Sequence, residues 1–120
     1  MWYSLVSLQQ TGKDRLCATV TTDADAPWYD GHFPGEPVLP GVAQLELVAD
    51  LTSTLAGEPV FVNSLSRVKF RKLIAPGESL EITVSRDDSK EAYVFKITSG
   101  QENVSSGIFT INHHLATSLP

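Results

Sequence analysis

Gly41-Val42-Ala43-Gln44-Leu45-Glu46-Leu47-Val48-Ala49-Asp50-Leu51-Thr52-Ser53-Thr54-Leu55-Ala56 is the one stretch of this chain with a sustained helical pattern. At about 100° per residue, Val42, Leu45, Leu47, Val48, Ala49, Leu51, Leu55 and Ala56 cover most of the circumference. Glu46, Asp50 and Ser53 form a narrow polar stripe. A helix that is apolar over most of its surface is a buried one, so the spacing predicts a central helix. Gly57 stops it and Pro59 follows.

Outward from the helix, everything regular reads as strand. On the N-terminal side, Trp2 to Leu8 and Arg15 to Thr22 are rich in β-branched and aromatic residues, and Thr11-Gly12-Lys13 between them predicts a hairpin. On the C-terminal side, Val60 to Leu73, Ser79 to Arg86, Glu91 to Thr98 and Glu102 to Asn112 are separated by Ala75-Pro76-Gly77, Asp87-Asp88-Ser89 and Ser99-Gly100-Gln101. Leu80, Ile82 and Val84 share one face. Two strands, one helix, then four strands in hairpin succession is an α+β pattern, and the economical arrangement is an antiparallel sheet of about six strands curled around the helix. Residues 1–120 are read as a single domain.

Composition narrows the function. The chain is 42% apolar and 19% charged, which excludes a disordered segment. A formal net charge of -5 argues against a nucleic-acid binder. A lone cysteine, Cys17, can form no internal disulfide; in a strand-like run it predicts buried packing, and a reducing cytoplasm fits. No basic, apolar leader is visible at the start, and no apolar run is long enough to span a bilayer. A soluble protein without a membrane partner is expected.

The segment before the helix is different in kind. Asp23 to Pro40 holds four of the seven prolines and two glycines, Gly31 and Gly35. Proline fixes φ, so this is a stiff, irregular loop, and a loop this long in a small domain calls for a functional reason. It carries His32, whose ordinary pKa of about 6.5 suits a general base. Positions 38 to 41 hold no Ser, Thr, Asp or Asn, so no side chain caps the first helical N–H groups. Pro40 has no N–H, and Gly41 lets another molecule approach the backbone. Such a helix start suits the partial negative charge of a thioester carbonyl. Glu46 follows about 7.5 Å further along the axis. Burial among apolar neighbours and the like charge of Asp50, one turn on, would both keep it protonated. A base, an electrophilic backbone site and an acid together suit proton abstraction beside a thioester carbonyl with loss of a β-hydroxyl.

The run Gly31-His32-Phe33-Pro34-Gly35-Glu36-Pro37-Val38-Leu39-Pro40-Gly41-Val42-Ala43-Gln44-Leu45-Glu46 closely resembles the GHFPGxPxxPGVxxxE motif of the β-hydroxyacyl-acyl carrier protein dehydratases, the FabZ/FabA type of hot-dog protein, and matches it without a gap. Arg67 to Lys72, followed by Ala75-Pro76-Gly77-Glu78, is similar to that family's basic strand and turn. Pro37 to Leu45 is similar to the ApeI-type dehydratases associated with aryl polyene synthesis. The resemblance implies a double hot-dog dimer or higher homo-oligomer, with sites at the subunit interface. In it, His32 of one chain takes the α-proton, Glu46 of the other protonates the leaving hydroxyl, and the Gly41 N–H polarises the carbonyl. Phe33, Pro34, Val38, Leu39, Pro40, Val42 and Asp50 would surround the substrate. The substrate would arrive on the phosphopantetheine of an acyl carrier protein, with no cofactor and no metal. The family usually carries glutamine where Asp50 stands.

Each feature has a plainer reading. A histidine in a loop is usually structural, a glutamate in the second turn favours the helix dipole, and Gly41 can be only a tight entry. Arg67, Lys69 and Arg71 alternate, so they share one strand face, which is either a solvated face or a landing patch for an acidic carrier that Lys72 can join. His113 and His114 receive no role. A hot-dog thioesterase would use a helix carboxylate without needing the His32 loop. A non-catalytic acyl-binding subunit would not need an intact His32 and Glu46.

Overall fold

The computed structural model describes residues 2–23, 26, 39–87 and 91–113. Its elements are β1 (Tyr3–Thr11), β2 (Arg15–Thr22), α1 (Gly41–Ala56), β3 (Val60–Phe70), β4 (Ser79–Asp87), β5 (Ala92–Ser99) and β6 (Glu102–His113). The strands form one antiparallel sheet of six in the order β1-β2-β4-β5-β6-β3. This is the hot-dog arrangement, with α1 packed on the concave face against β2, β3 and β4.

Alternation decides which face is which. Leu16, Ala18 and Val20 on β2, Leu80, Ile82 and Val84 on β4, and Phe95 and Ile97 on β5 are buried, with polar residues interleaved. From the helix, Ala43, Leu47, Val48 and Leu51 meet them. Tyr93 stacks on Phe109, with ring centroids 5.5 Å apart. Burial of this kind, at roughly 25 cal/mol per Å² of apolar surface, is the main force holding a domain of this size together. Register shifts between Leu5 and Ser7, Val62 and Ser64, Ser66 and Lys69, and Ile97 and Thr98 let the sheet curl around the helix.

Three expectations need correction. The four C-terminal strands are not in hairpin succession, because β3 pairs with β6 and not with β4. The Gly77 N–H donates to the Thr22 carbonyl at 3.0 Å, so the Ala75-Pro76-Gly77 turn is tied to β2. The third strand stops at Phe70 rather than Leu73. The helix is not buried all round: Val42, Glu46, Asp50 and Thr54, spaced four apart, form an exposed stripe, and Val42 is 62% exposed. Gln44 and Thr52 are buried instead, because their polar groups are satisfied. The Ser105 hydroxyl donates to Gln44 Oε1 at 2.8 Å, and the Thr52 hydroxyl donates to the Val48 carbonyl at 2.7 Å. Cys17 is half-buried on the outer face of β2, with its sulfur 3.8 Å from the Thr83 hydroxyl.

The helix ends follow their sequence signals. Pro40 stands at the N-cap in an extended conformation with no side-chain cap, and Gly57 takes the left-handed conformation at φ 78°, its N–H bonded to the Ser53 carbonyl. No helix among the described residues is long and apolar enough to cross a membrane.

Candidate active site

The start of α1 is open in the way an electrophilic site requires. The Ala43 and Gln44 N–H groups both return to the Pro40 carbonyl, at 3.1 and 3.2 Å. With no capping side chain, Gly41 and Val42 carry the helical N–H groups that remain for an outside acceptor. Gly41 also lies beneath an aromatic ring. A Cβ at this position would stand 2.8 Å from Cζ of Phe70, at the end of β3. Phe70 is half exposed, so its ring forms an apolar wall beside the helix start. Phe70 carries no sequence signal of such a role beyond being an aromatic residue among the cations that follow the bulge of β3.

Glu46 lies on the exposed stripe of α1, and its own chain does not bury it as expected. Asp50, one turn further on, is also exposed. It has a partner that nothing in the sequence announced: the Tyr3 hydroxyl donates to Asp50 Oδ2 at 3.1 Å. Tyr3 is 8% exposed, and Trp2 packs edge-on against it at 5.0 Å. Burial pushes the Tyr3 phenol up to about 12, and the Asp50 charge and hydrogen bond and then the Glu46 charge add to it. Tyr3, Asp50 and Glu46 thus form one electrostatic cluster, contributed by β1 and α1.

The other predicted residues divide. His32, Phe33, Pro34 and Val38 lie outside the described residues. Leu39 is 2% exposed and built into the core, with its N–H on the Ile74 carbonyl at 2.9 Å, whereas Pro40 is half-buried beside Gly41. Among the described residues, no group of three His, Cys, Asp or Glu side chains could hold a metal ion.

Arg67, Lys69 and Arg71 do share a cleft of about 330 Å³, but not through strand alternation. Arg67 adopts φ 54° and starts a bulge, so Arg67 and Val68 together face Gly107. Arg71 lies past the strand end, and its N–H bonds the Val104 carbonyl at 2.7 Å. The cleft opens on the outer face of the sheet, away from α1, between β3, β6 and β5, with Val94 and Ile108 in its floor. Lys96 adds a fourth cation. It pairs with Ser106, as Lys69 does from the other side, and with Arg71 it lines an adjoining hollow of about 290 Å³. That cross-strand row depends on a register that sequence does not reveal. Lys72 lines neither hollow and forms an ion pair with Glu78. Partial burial pushes the Glu78 carboxyl up, but hydrogen bonds from Lys72, Ser99 and the Ala75 N–H outweigh it and hold it below the usual range.

Comparison with known proteins agrees with this architecture. The ApeI-like family model, described as ApeI dehydratase, matches residues 8–108. A 3-hydroxyacyl-[acyl-carrier-protein] dehydratase FabZ from Oenococcus oeni is 30% identical over 91 residues, which are 70% of this chain and 66% of that protein. The chain therefore spans a little less than two thirds of that curated relative. Among solved structures, it is similar to a chain of the dehydratase heterocomplex ApeI:P from Xenorhabdus doucetiae, with a TM-score of 0.84 and 28% identity over 92% of this chain and 98% of that one. An uncharacterized protein from Erwinia carotovora subsp. atroseptica matches with a TM-score of 0.79 and 27% identity over 96% and 99% of the two chains.

Proposed function

This chain belongs to the ApeI-like dehydratase family, and from that premise we propose that it removes water from a 3-hydroxyacyl thioester to give the trans-2-enoyl thioester. The observation that carries the reading is the placement of Glu46 on the open side of α1, beyond an uncapped Gly41 start, at the end of the unbroken motif that begins at Gly31. In the proposed reaction the thioester carbonyl accepts from the Gly41 N–H, which stabilises the negative charge that grows on its oxygen. His32 takes the α-proton. The Cα–Cβ double bond forms as the Cβ–O bond breaks, and Glu46 gives the departing hydroxyl its proton, so that water leaves. Two proton transfers and one C–O cleavage change no oxidation state, and the reaction calls on no redox cofactor.

The site is completed by a second copy of the chain. β3 is an edge strand with Phe61, Leu65 and Phe70 exposed, and the Val42–Thr54 stripe of α1 is uncovered. Unpaired edges and exposed apolar groups are normally covered in a stable assembly. A dimer that covers them would desolvate Glu46 and bring the partner's loop to it, one hot-dog domain per chain. The thiol is that of a carrier-bound phosphopantetheine, and the Arg67, Lys69 and Arg71 cleft receives the acidic carrier. Synthesis of fatty acids, polyketides or aryl polyenes in the cytoplasm is the setting.

The test is direct. The protein is incubated with 3-hydroxyacyl-carrier thioesters of several chain lengths and the loss of water is followed by mass. His32→Ala and Glu46→Gln should each slow turnover at least about a hundredfold, the low end for a general base or acid. Normal dehydration by both variants would end this assignment.

A further inference from the structure

We propose that Tyr3 is a positioning residue for the acid: its hydroxyl pins Asp50 in place, so that a fixed negative charge stands beside Glu46. The inference rests on the dehydratase reading with Glu46 as the acid.

Asp50 is an exposed side chain on a helix, and a free carboxylate there would spread over several rotamers. The Tyr3 hydroxyl selects one of them, at 3.1 Å from Oδ2. The donor is itself well packed, since Tyr3 is 8% exposed at the start of β1 and Trp2 packs against its ring. Residues four apart on a helix are neighbours, about 6 Å between Cβ atoms, so the pinned charge is held next to Glu46. A nearby like charge disfavours the ionised form of an acid. In the proposed reaction Glu46 gives its proton to the departing hydroxyl, and the pinned Asp50 carboxylate stands one helical turn from it.

Little else among the described residues competes for this role. The strands under α1 present Leu16, Ala18, Val20, Leu80, Ile82 and Val84 to it, none of which titrates. Tyr93, on the same face of β5, stacks on Phe109. Arg67 and Lys69 of β3 line the outer cleft, and Lys72 pairs with Glu78. Arg15 and Arg86 lie at the opposite end of β2 from Tyr3. The next carboxylate, Asp23, accepts from the Ser4 hydroxyl at 3.4 Å.

Two readouts test the proposal. The first needs no catalysis: tyrosinate absorbance is followed with pH, with the fold monitored by circular dichroism. One tyrosine should resist ionisation at pH 11 in the wild type, ionise at lower pH in Asp50→Asn while burial still holds it above its ordinary range, and be missing from the titration of Tyr3→Phe. The second is the alkaline limb of the kcat/KM profile on a 3-hydroxyacyl thioester. Asp50→Asn should lower it by about half to about two pH units, the range for unit charges ~6 Å apart between bulk water and an effective dielectric of ~20. Tyr3→Phe should lower it in the same direction by less, and the double variant should shift no further than Asp50→Asn alone. Asp50→Glu, which keeps the charge but carries it past the Tyr3 hydroxyl, should behave like Tyr3→Phe and serves if that variant does not fold. An unmoved or raised limb in Tyr3→Phe or Asp50→Glu, or full additivity in the double variant, would overturn the role while leaving the dehydratase reading intact. Wild-type protein inactive on every 3-hydroxyacyl thioester would overturn both, even with the tyrosine titration as expected.

Discussion

Gly107 on β6 faces Phe95 across one strand pair and the Arg67–Val68 bulge across the other. A methyl group at this position would stand 2.7 Å from Cε2 of Phe95 and 2.9 Å from Cγ2 of Val68. Phe95 cannot retreat, since it is fully buried with Phe109 at 6.1 Å between centroids. Val68 is half-buried and gives more easily, but only by moving the bulge. Overpacking of this kind costs about 1–3 kcal/mol. With an unfolding entropy of about 2.1 cal/mol/K per residue, 2 kcal/mol lowers the Tm of a chain of this length by about 8 °C. Gly107→Ala should show that loss in thermal unfolding by circular dichroism. The comparison is made at one protein concentration, because the Tm of an assembly depends on it. The cause is separable by a cycle: Phe95→Leu removes the nearest ring atoms, so Gly107→Ala should cost less in that background than in the wild type. An unchanged Tm, or losses that simply add, would refute the steric argument. A displaced bulge also moves Arg67, so the variant should lose more rate on carrier-linked substrate than on a small thioester mimic.

Reversing Arg67, Lys69 and Arg71 to Glu should weaken carrier-linked substrate far more than a small mimic, with the difference shrinking at high salt as exposed charges are screened; equal losses on both would leave the cleft a purely structural feature. Lys72→Met should leave carrier preference untouched and act on stability instead. Because the Glu78 carboxyl is held below its ordinary range, its contribution is present above the unfolded pKa of about 4.3 and is lost as pH falls through the folded value. Denaturant unfolding should therefore show a smaller acid-side decline in Lys72→Met than in the wild type. Tyr3 acts at the other limit. Its raised folded pKa leaves stability intact below about pH 10 and removes it as pH climbs toward 12, a loss that Tyr3→Phe should lack. Finally, mixing His32→Ala with Glu46→Gln under confirmed subunit exchange should restore about a quarter of wild-type activity, since half the dimers then hold one intact site of two. No recovery from two inactive parents would place acid and base on the same chain.

What the sequence disclosed was local, and what it concealed depended on pairing across the sheet. Helix α1 is legible because its signals lie within one stretch, from the uncapped Pro40-Gly41 start to the left-handed Gly57. Buried polar residues defeated the helical arc: Gln44 goes inside because Ser105, far away in sequence, supplies its partner. The β3–β4 turn reads as a hairpin because Ala75-Pro76-Gly77 has turn chemistry, but that chemistry serves a crossing tied to Thr22, and β3 completes the sheet against β6. Alternation grouped the cations correctly for a reason that fails in detail. It presumes an unbroken strand, whereas Arg67 takes a left-handed conformation that no glycine advertised. The motif from Gly31 to Glu46 names the proposed base, electrophile and acid, but not what makes the acid an acid. That depends on desolvation and neighbouring charge. Among the described residues, the chain places Asp50 one turn from Glu46 and holds it through a tyrosine on β1 that is 47 positions away. Glu46 lies on the exposed stripe of α1, and no described residue of its own chain buries it. A second subunit is therefore more than a packing partner: on this reading it makes a surface glutamate into a proton donor.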